Sequence, residues 1–171
     1  LMFCLEYRGV KGCVKTQYAN LNTNKTGMLP SEQGYQFFIP TNIYLIGTMN
    51  TIDRSVESFD FALRRRFSWQ EVSPDISLLK FYLSEHCAKW IELATSLEKL
   101  NEEIEKQALL GHEYQIGHAY LMNLKYPKSL SLTEVKASIW EDSIRPLLQE
   151  YLRGTGEEVE LIKSFSKSFG V

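Results

Sequence analysis

Long hydrophobic runs and targeting signals are missing from this sequence. Its most apolar stretch, residues 35–49, is shorter than the roughly 20 residues that a membrane-spanning helix needs, and Gln36, Pro40 and Asn42 interrupt it. The N-terminus does not have the pattern of a secretory signal peptide. We therefore expect a soluble, cytoplasmic protein that has no membrane partner.

Cysteine is scarce, and charge of one sign does not dominate. The three cysteines, Cys4, Cys13 and Cys87, are odd in number and lack the spacing of metal ligands, so they are predicted to be reduced thiols. With 19 Lys and Arg against 21 Asp and Glu, the formal charge is -2, so the chain as a whole has no attraction to nucleic acid or to an anionic membrane. Any contact with DNA has to be local or belong to another part of the protein.

What the chain does have is enough apolar surface for a core. Its 171 residues are 44% hydrophobic and 12% aromatic, which is typical of one globular domain or of two small ones that share a boundary. The opening segment LMFCLEYRG predicts the end of an apolar helix at Gly9, and it begins without an initiator methionine or a helix cap. This start is what we expect of the downstream part of a longer protein.

The stretch before Pro74 has the pattern of strands. CVKTQY (residues 13–18) and YQFFI (residues 35–39) are predicted to pair as a hairpin whose long polar tip spans residues 20–34. After Pro40, NIYLIGTM (residues 42–49) is a continuous apolar run, the pattern of a strand buried on both faces of a parallel sheet that helices cover. Residues 1–74 are therefore predicted to be the end of an α/β domain.

The stretch after Pro74 is helical instead. Apolar residues recur at spacings of three and four, and they form two stripes: Leu97, Leu100, Ile104 and Ala108, and then Trp140, Ile144, Leu147, Leu148 and Tyr151. Pro146 is predicted to kink or restart the second helix, Gly154 to end it, and residues 157–170 to add a terminal helix. The predicted fold class is α+β, mostly α, with an all-helical domain at residues 75–171.

A polar cluster follows the predicted strand at residues 50–55. In open α/β sheets, ligands bind beyond the carboxyl ends of the strands, which is where Asn50 is predicted to lie. An asparagine amide both donates and accepts hydrogen bonds, so it can orient a water in line with a phosphate, the positioning that dominates phosphoryl transfer. Taken alone, however, an asparagine after a strand is more often a turn residue.

Three consecutive arginines close the helix that is predicted to begin at Ser55. Asp60 lies four residues before Arg64, where it can form an intrahelical ion pair, and this leaves Arg65 and Arg66. A guanidinium group has a planar fork of donors that matches phosphate oxygens, and an arginine that reaches a neighbouring subunit's triphosphate can raise the rate roughly 10³–10⁵-fold. Taken alone, a run of arginines is more often a solvated surface.

The order and spacing of these motifs resemble the McrB family, the AAA+ GTPase subunits of modified-cytosine restriction systems. MNTIDRS (residues 49–55) matches the family pattern MNTADRS except at Ile52, and DFALRRRF (residues 60–67) matches the family pattern throughout. Two later segments, YQIGHAYLM (residues 114–122) and IRPLLQEYL (residues 144–152), are similar to the family's FRIGHSYF and PLLEEYF segments. The resemblance covers most of residues 1–153.

The resemblance implies a fold and a set of site residues. Residues 1–74 would be the C-terminal portion of an AAA+ P-loop NTPase α/β core, with a hairpin, a sensor strand and an arginine-finger helix, and residues 75–171 would be its helical lid. Asn50 would be the sensor that positions the hydrolytic water, and Arg65 and Arg66 would be the fingers that act in trans. The nucleotide-binding or signature-loop residues that the resemblance implies are Thr51, Asp53, Arg54, Arg64 and His118.

The same resemblance implies cofactors and partners of the full-length protein, not of this chain alone. The sequence contains neither the family's GxxxxGK[ST] phosphate loop nor its acidic metal-binding strand. Mg²⁺ and GTP or ATP are therefore expected in the full-length protein, none is expected on this fragment, and the fragment alone is not expected to hydrolyse nucleotide. The full-length protein is expected to form a homo-oligomeric, hexameric ring, with an McrC-like nuclease subunit as partner and with DNA bound through an N-terminal domain.

Two other functions fit parts of the pattern. A MoxR-like AAA+ chaperone or remodelling ATPase shares the ring but not the nuclease partner, and MNTxDRS followed by ALRRRF favours the restriction branch. A non-enzymatic helical module could instead use Arg64 to Arg66 as a basic patch for DNA or an acidic protein. Three arginines make a small footprint for that purpose, because salt-dependent DNA affinity needs several phosphate contacts, and a basic patch does not explain Asn50.

Overall fold

The computed structural model describes residues 2–21, 29–31, 34–50, 52, 64–122, 125 and 127–171. The chain divides into two compact units, Leu1–Gln70 and Glu71–Val171. This division falls close to Pro74, where the sequence changes from strand-like to helical patterns.

The first unit begins with a short helix, α1 (Met2–Glu6), as the apolar start of the sequence predicts. Gly9 follows with a φ of 81°, a left-handed conformation that glycine adopts without strain. A 3₁₀ turn at Val10–Gly12 then packs so closely on the end of the helix that a Cβ on Gly12 would lie 1.7 Å from the carbonyl oxygen of Tyr7. Only glycine fits there, so the chain can reverse tightly after α1.

A small antiparallel sheet follows in the first unit. Strand β1 (Leu29–Ser31) pairs with β2 (Gly34–Gln36), and just beyond β2 the residue Phe37 bridges to Val14. Phe37 and Val14 exchange two backbone N–H···O bonds of 2.8 Å each. The predicted pairing of CVKTQY with YQFFI is confirmed at this bridge, and β1 lies within the predicted polar tip.

The predicted buried strand at residues 42–49 is wrong. Residues 43–50 have no regular secondary structure, and Tyr44 and Ile46 are 86% and 96% exposed. A strand buried on both faces needs paired neighbours and covering helices. The described part of this unit offers only the β1–β2 pair and one bridge, and neither includes residues 43–50. The polar cluster at Asn50 therefore follows an irregular and mostly exposed segment.

The predicted helix from Ser55 to the arginines lies almost entirely outside the described residues. Both the predicted cap, Ser55, and the predicted pairing partner, Asp60, fall in residues 53–63, which are not among them. Arg64 is helical, and the chain turns at Arg65 and Arg66. The cap and the Asp60–Arg64 pair stay predictions.

The second unit is built of helices, as the pattern after Pro74 predicts. They are α2 (Ile76–Cys87), α3 (Glu92–Lys106), α4 (Leu132–Ile139), α5 (Arg145–Leu152) and α6 (Glu158–Phe169), with 3₁₀ turns at Ala88–Trp90, His112–Tyr114 and His118–Leu121. Two of the helices begin at side-chain caps. The carboxylate of Asp75 accepts a 2.8 Å hydrogen bond from the N–H of Leu78, and Ser131 and Glu134 cap α4 reciprocally as a capping box.

The core of the second unit lies along α3, against which α6 packs most extensively. Leu97, Leu100 and Ile104 are fully buried, as their spacing predicts, but Ala108 is exposed because α3 ends at Lys106. From α6, Phe165 and Phe169 are also fully buried. The terminal helix is therefore part of the core, although its sequence pattern is weaker than that of α3.

Pro146 restarts a helix, as predicted. The residues before it, Trp140–Ile144, form a π-helical turn, and α5 begins directly afterwards with Pro146 in its first turn. Proline has no N–H to donate to the preceding turn, so the regular i to i−4 pattern cannot run through it, and a π-bulge accommodates the change. Trp140 and Ile144 stay buried across this join, and Gly154 follows the end of α5 with a φ of 81°.

Candidate functional site

Asn50 lies at the exposed end of residues 43–50 in the first unit. Its side-chain oxygen accepts a hydrogen bond of 3.2 Å from the backbone N–H of Ile52. This is the local turn that asparagine side chains commonly make, so here the amide holds the backbone of Ile52. Three further predicted site residues, Thr51, Asp53 and Arg54, lie outside the described residues.

Trp69 fixes the backbone at the start of the arginine run. Its indole N–H donates a 3.0 Å hydrogen bond to the carbonyl of Arg64, and the guanidinium carbon of Arg64 lies 6.0 Å from the centre of the indole ring. That distance is within reach of a cation–π attraction. Arg64 and Trp69 therefore close a short loop around Arg65 and Arg66.

The next two arginines differ in their surroundings. Arg66 forms an ion pair with Glu6 of α1, with 2.5 Å between Nη2 and Oε2, and its side chain is only 16% exposed. Arg65 is exposed and forms no hydrogen bond or ion pair with another residue of the described part of the chain. Arg65 is therefore available to an anion outside this unit, whereas Arg66 is held by its own chain.

His118 opens a 3₁₀ turn in the second unit, in the segment YQIGHAYLM. Its ring nitrogen Nδ1 accepts a hydrogen bond of 2.9 Å from the backbone N–H of Asp75, the residue that caps α2. The ring thus connects this turn to the start of α2. A second histidine, His112, lies 3.7 Å from the carboxylate of Glu71 just upstream of that cap.

Asn101 is a buried polar residue that was not predicted as part of the site. It is 5% exposed on α3, its amide N–H₂ donates to the carbonyl of Ile116 at 2.9 Å, and its amide oxygen accepts from the N–H of the same residue at 2.8 Å. Its position four residues after Leu97 places it on the apolar face of α3. A polar residue in an apolar stripe is the signal that could have identified it.

Tyr151 of the second unit has two tyrosines as neighbours, Tyr114 and Tyr120. Tyr151 lies edge-on to Tyr114, with ring centres 5.1 Å apart. Burial raises the pKa of Tyr151, and the neighbouring hydroxyl groups of Tyr120 and Tyr114 raise it further. Tyr151 therefore stays neutral near pH 7 and contributes packing rather than charge.

Two kinds of feature are absent from the described part of the chain. Within residues 2–21, 29–31, 34–50, 52, 64–122, 125 and 127–171, no three His, Cys, Asp or Glu side chains are grouped so that they could hold a metal ion. Among the same residues, no helix has both the length and the hydropathy needed to cross a membrane.

Comparison with known proteins identifies the helical unit. Residues 92–160 match the family model of the alpha-helical lid domain of McrB. Residues 92–160 are an McrB-type lid domain. In this lid the match runs from the start of α3 into α6, and it includes both Asn101 and His118. The prediction of a helical McrB-type lid is confirmed.

A longer match connects the chain to a restriction enzyme. The chain is 38% identical over 126 residues to the type IV methyl-directed restriction enzyme EcoKMcrB subunit of Escherichia coli strain K12, and the match covers 68% of this chain. It covers 27% of that protein, so this McrB-type chain spans about a quarter of its relative's length. Because the match is longer than the McrB lid at residues 92–160, it also includes residues outside the lid.

Proposed function

We propose that the chain is the C-terminal part of the nucleoside-triphosphatase module of a modification-dependent DNA restriction enzyme, with GTP or ATP as substrate. The observation that carries this proposal is the McrB-type lid at residues 92–160, together with the longer match to a methyl-directed restriction subunit. In this proposal the lid acts together with a nucleotide-binding core. The restriction enzyme among the relatives also favours this function over that of a MoxR-like remodelling ATPase.

In this proposal the first unit supplies the residues that position the reacting groups. Asn50 orients the attacking water toward the γ-phosphate of the nucleotide bound to its own subunit, since an amide can donate to the phosphate and accept from the water. The proposal assigns Thr51, Asp53 and Arg54 to the nucleotide-binding signature that follows Asn50 in the sequence. The exposure of Asn50 supports this role, because a side chain sealed inside the unit could not reach a nucleotide.

Arg65 acts in trans on the nucleotide of a neighbouring subunit. The contacts of its two neighbours support this choice: Trp69 holds the carbonyl of Arg64, and Glu6 holds the guanidinium of Arg66. With both ends of the run held, less backbone freedom is lost when the Arg65 guanidinium pairs with phosphate oxygens. Arg66 was also predicted to be a finger, but in this proposal its pair with Glu6 holds the loop in place. The carbonyl of Arg64 anchors the other end of the loop to Trp69.

The proposal assigns His118 to the nucleotide-binding residues that the lid contributes. When bound, Mg²⁺ would neutralise charge at the β- and γ-phosphates. The family motifs that this sequence contains do not include the residues that would hold it. The whole protein is proposed to be a cytoplasmic, homo-hexameric ring that acts with an McrC-like nuclease subunit. DNA is read by a domain at its N-terminus.

The proposal is tested by comparing nucleotide turnover in this chain and in the full-length protein that it requires, in which a phosphate-binding loop precedes the chain. Phosphate release is measured with GTP and with ATP, at protein concentrations that span ring assembly. We expect turnover by the full-length protein with one of the two nucleotides and none by this chain alone. Hydrolysis by the purified 171-residue chain, or none by the full-length protein with either nucleotide, would contradict the proposal.

A further inference from the structure

Two independent sets of hydrogen bonds hold the segment that carries His118. The first is the pair between Asn101 and Ile116, in which both polar atoms of one buried amide bind both backbone polar groups of one residue, at 2.9 and 2.8 Å. Ile116 itself is buried, and it precedes Gly117 and His118 directly. The backbone that leads into His118 is therefore fixed from inside the lid by α3.

The second is the bond from the backbone N–H of Asp75 to Nδ1 of His118. A backbone N–H can only donate, so Nδ1 must carry a lone pair. A neutral imidazole that accepts at Nδ1 carries its proton on Nε2. The contact therefore sets the tautomer of His118 and leaves Nε2–H as the donor of the ring.

We propose that Asn101 is a positioning residue for His118, holding it so that Asp75 can fix the ring in the Nε2–H form and the lid presents one neutral N–H donor. This inference rests on the proposed function, because the ligand of that donor is a phosphate oxygen of the bound nucleotide. A neutral donor binds a phosphate oxygen directionally and adds no charge to the site. The strength of this hydrogen bond then depends on the orientation of the His118 ring. The Asn101–Ile116 pair affects that orientation because it holds the backbone two residues before His118.

A purely structural role for Asn101 makes a different prediction. A buried, fully hydrogen-bonded amide stabilises the lid whether or not it orients His118. If that were the only role of Asn101, its substitution would lower the stability of the lid and change nothing else. The distinguishing quantity is the protection of the Asp75 amide proton against exchange with water. Asp75 is the N-cap of α2, so its N–H has no partner within that helix, and His118 is what protects it.

The first experiment measures exchange of the Asp75 amide by NMR in this chain, without nucleotide. Asn101→Asp keeps the acceptor for the N–H of Ile116 but places an oxygen against its carbonyl, so we expect exchange at Asp75 to become about fivefold faster. Val135→Ala, which removes buried apolar atoms from α4, is the matched control and should leave Asp75 protected while the lid loses stability. Unchanged protection in Asn101→Asp, or equal loss in the control, would overturn the inference.

A matched pair of His118 variants keeps the test valid if Asn101→Asp fails to fold. His118→Asn keeps an acceptor near the position of Nδ1 and removes the Nε2 donor, whereas His118→Gln keeps a donor near Nε2 and removes the Nδ1 acceptor. We expect Asp75 to stay protected in His118→Asn and to lose protection in His118→Gln. The opposite pattern, or protection in both variants, would overturn the inference.

Nucleotide affinity of the full-length protein separates this inference from the proposed function. Loss of a hydrogen bond to a charged phosphate is expected to weaken binding about tenfold or more in His118→Asn, and His118→Gln should retain more of the affinity. If the exchange results are as expected but neither variant changes affinity, the positioning of His118 is supported and its proposed contact with nucleotide is contradicted. If the exchange results fail, the inference is overturned whatever the affinities are.

Discussion

The guanidinium of Arg66 is paired with the carboxylate of Glu6, 60 residues earlier in the chain. This contact fastens the end of the arginine run to α1, while Arg65 remains exposed beside it. Two adjacent arginines that the sequence makes equivalent are therefore different in their surroundings. One stabilises its own unit, and the other can act on a ligand outside it.

The free energy of the Arg66–Glu6 pair can be measured by a double-mutant cycle. We expect Arg66→Gln and Glu6→Gln to show a coupling free energy of about 1 kcal/mol or more in urea unfolding of this chain, because Arg66 is mostly withdrawn from water. The control is the Arg153–Glu150 pair, which has the same 2.5 Å separation but side chains that are 74% and 59% exposed. Its coupling should stay below about 0.5 kcal/mol, and equal coupling in the two pairs would contradict the account.

Asn50 is predicted to act on turnover and not on binding. In the full-length protein, Asn50→Ala should reduce kcat by at least about 10²-fold, since a misplaced water forfeits the in-line geometry. The Kd for the nucleotide should change by less than about threefold. Equilibrium binding of a fluorescent nucleotide and phosphate release measure the two quantities, and a large loss of affinity with little further loss of kcat would count against a water-positioning role.

The lid core is predicted to depend on α3. Leu100→Ala should lower the free energy of unfolding of this chain by about 2–5 kcal/mol, because it leaves a cavity where the side chain is fully buried. Val159→Ala on α6 is the control, since Val159 is 73% exposed and its truncation should change the stability by less than about 0.5 kcal/mol. Equal effects in urea titrations would mean that α3 is not at the centre of this core.

The capping box of α4 predicts a dependence of stability on pH. Hydrogen bonds from the side chain and then from the backbone of Ser131 lower the pKa of Glu134 below its usual 4.5. A lowered folded-state pKa contributes stability above the unfolded pKa, and this contribution is lost as the pH falls through the lowered value. Glu134→Gln should therefore lower Tm at pH 7 and converge with the parent chain in acid, whereas a Tm difference that does not change with pH would contradict the charged cap.

Much of the lid could be predicted from the sequence, because its signals are local. The spacing of Leu97, Leu100 and Ile104 predicted a buried helix face, and Pro146 predicted the restart that the π-helical turn makes. The prediction that Ala108 belongs to the buried face was wrong, because a pattern of apolar residues does not show where a helix ends. The weaker terminal helix proved to be core, since burial of Phe165 and Phe169 depends on α3 rather than on their own segment.

The first unit was harder to predict, because its patterns depend on partners distant in sequence. An apolar run such as residues 42–49 becomes a buried strand only where other strands and helices cover it, and the described neighbours do not. The arginine run could be read from the sequence, but the pairing of Arg66 with Glu6 could not, since nothing local connects them. Asn101 was missed for a similar reason: its partner, Ile116, is 15 residues away.

The central claim, that Asn50 and Arg65 complete one catalytic site from two subunits, is tested most directly by mixing inactive variants. Full-length Asn50→Ala and Arg65→Ala proteins are each assayed alone and then as an equimolar mixture that has exchanged subunits, with wild-type protein and Arg153→Ala as active controls. The account predicts that the mixture regains about a quarter of wild-type turnover, because that share of random interfaces joins an intact Asn50 to a neighbour's intact Arg65. Turnover in the mixture no higher than in the separate variants, at any ratio, would contradict it.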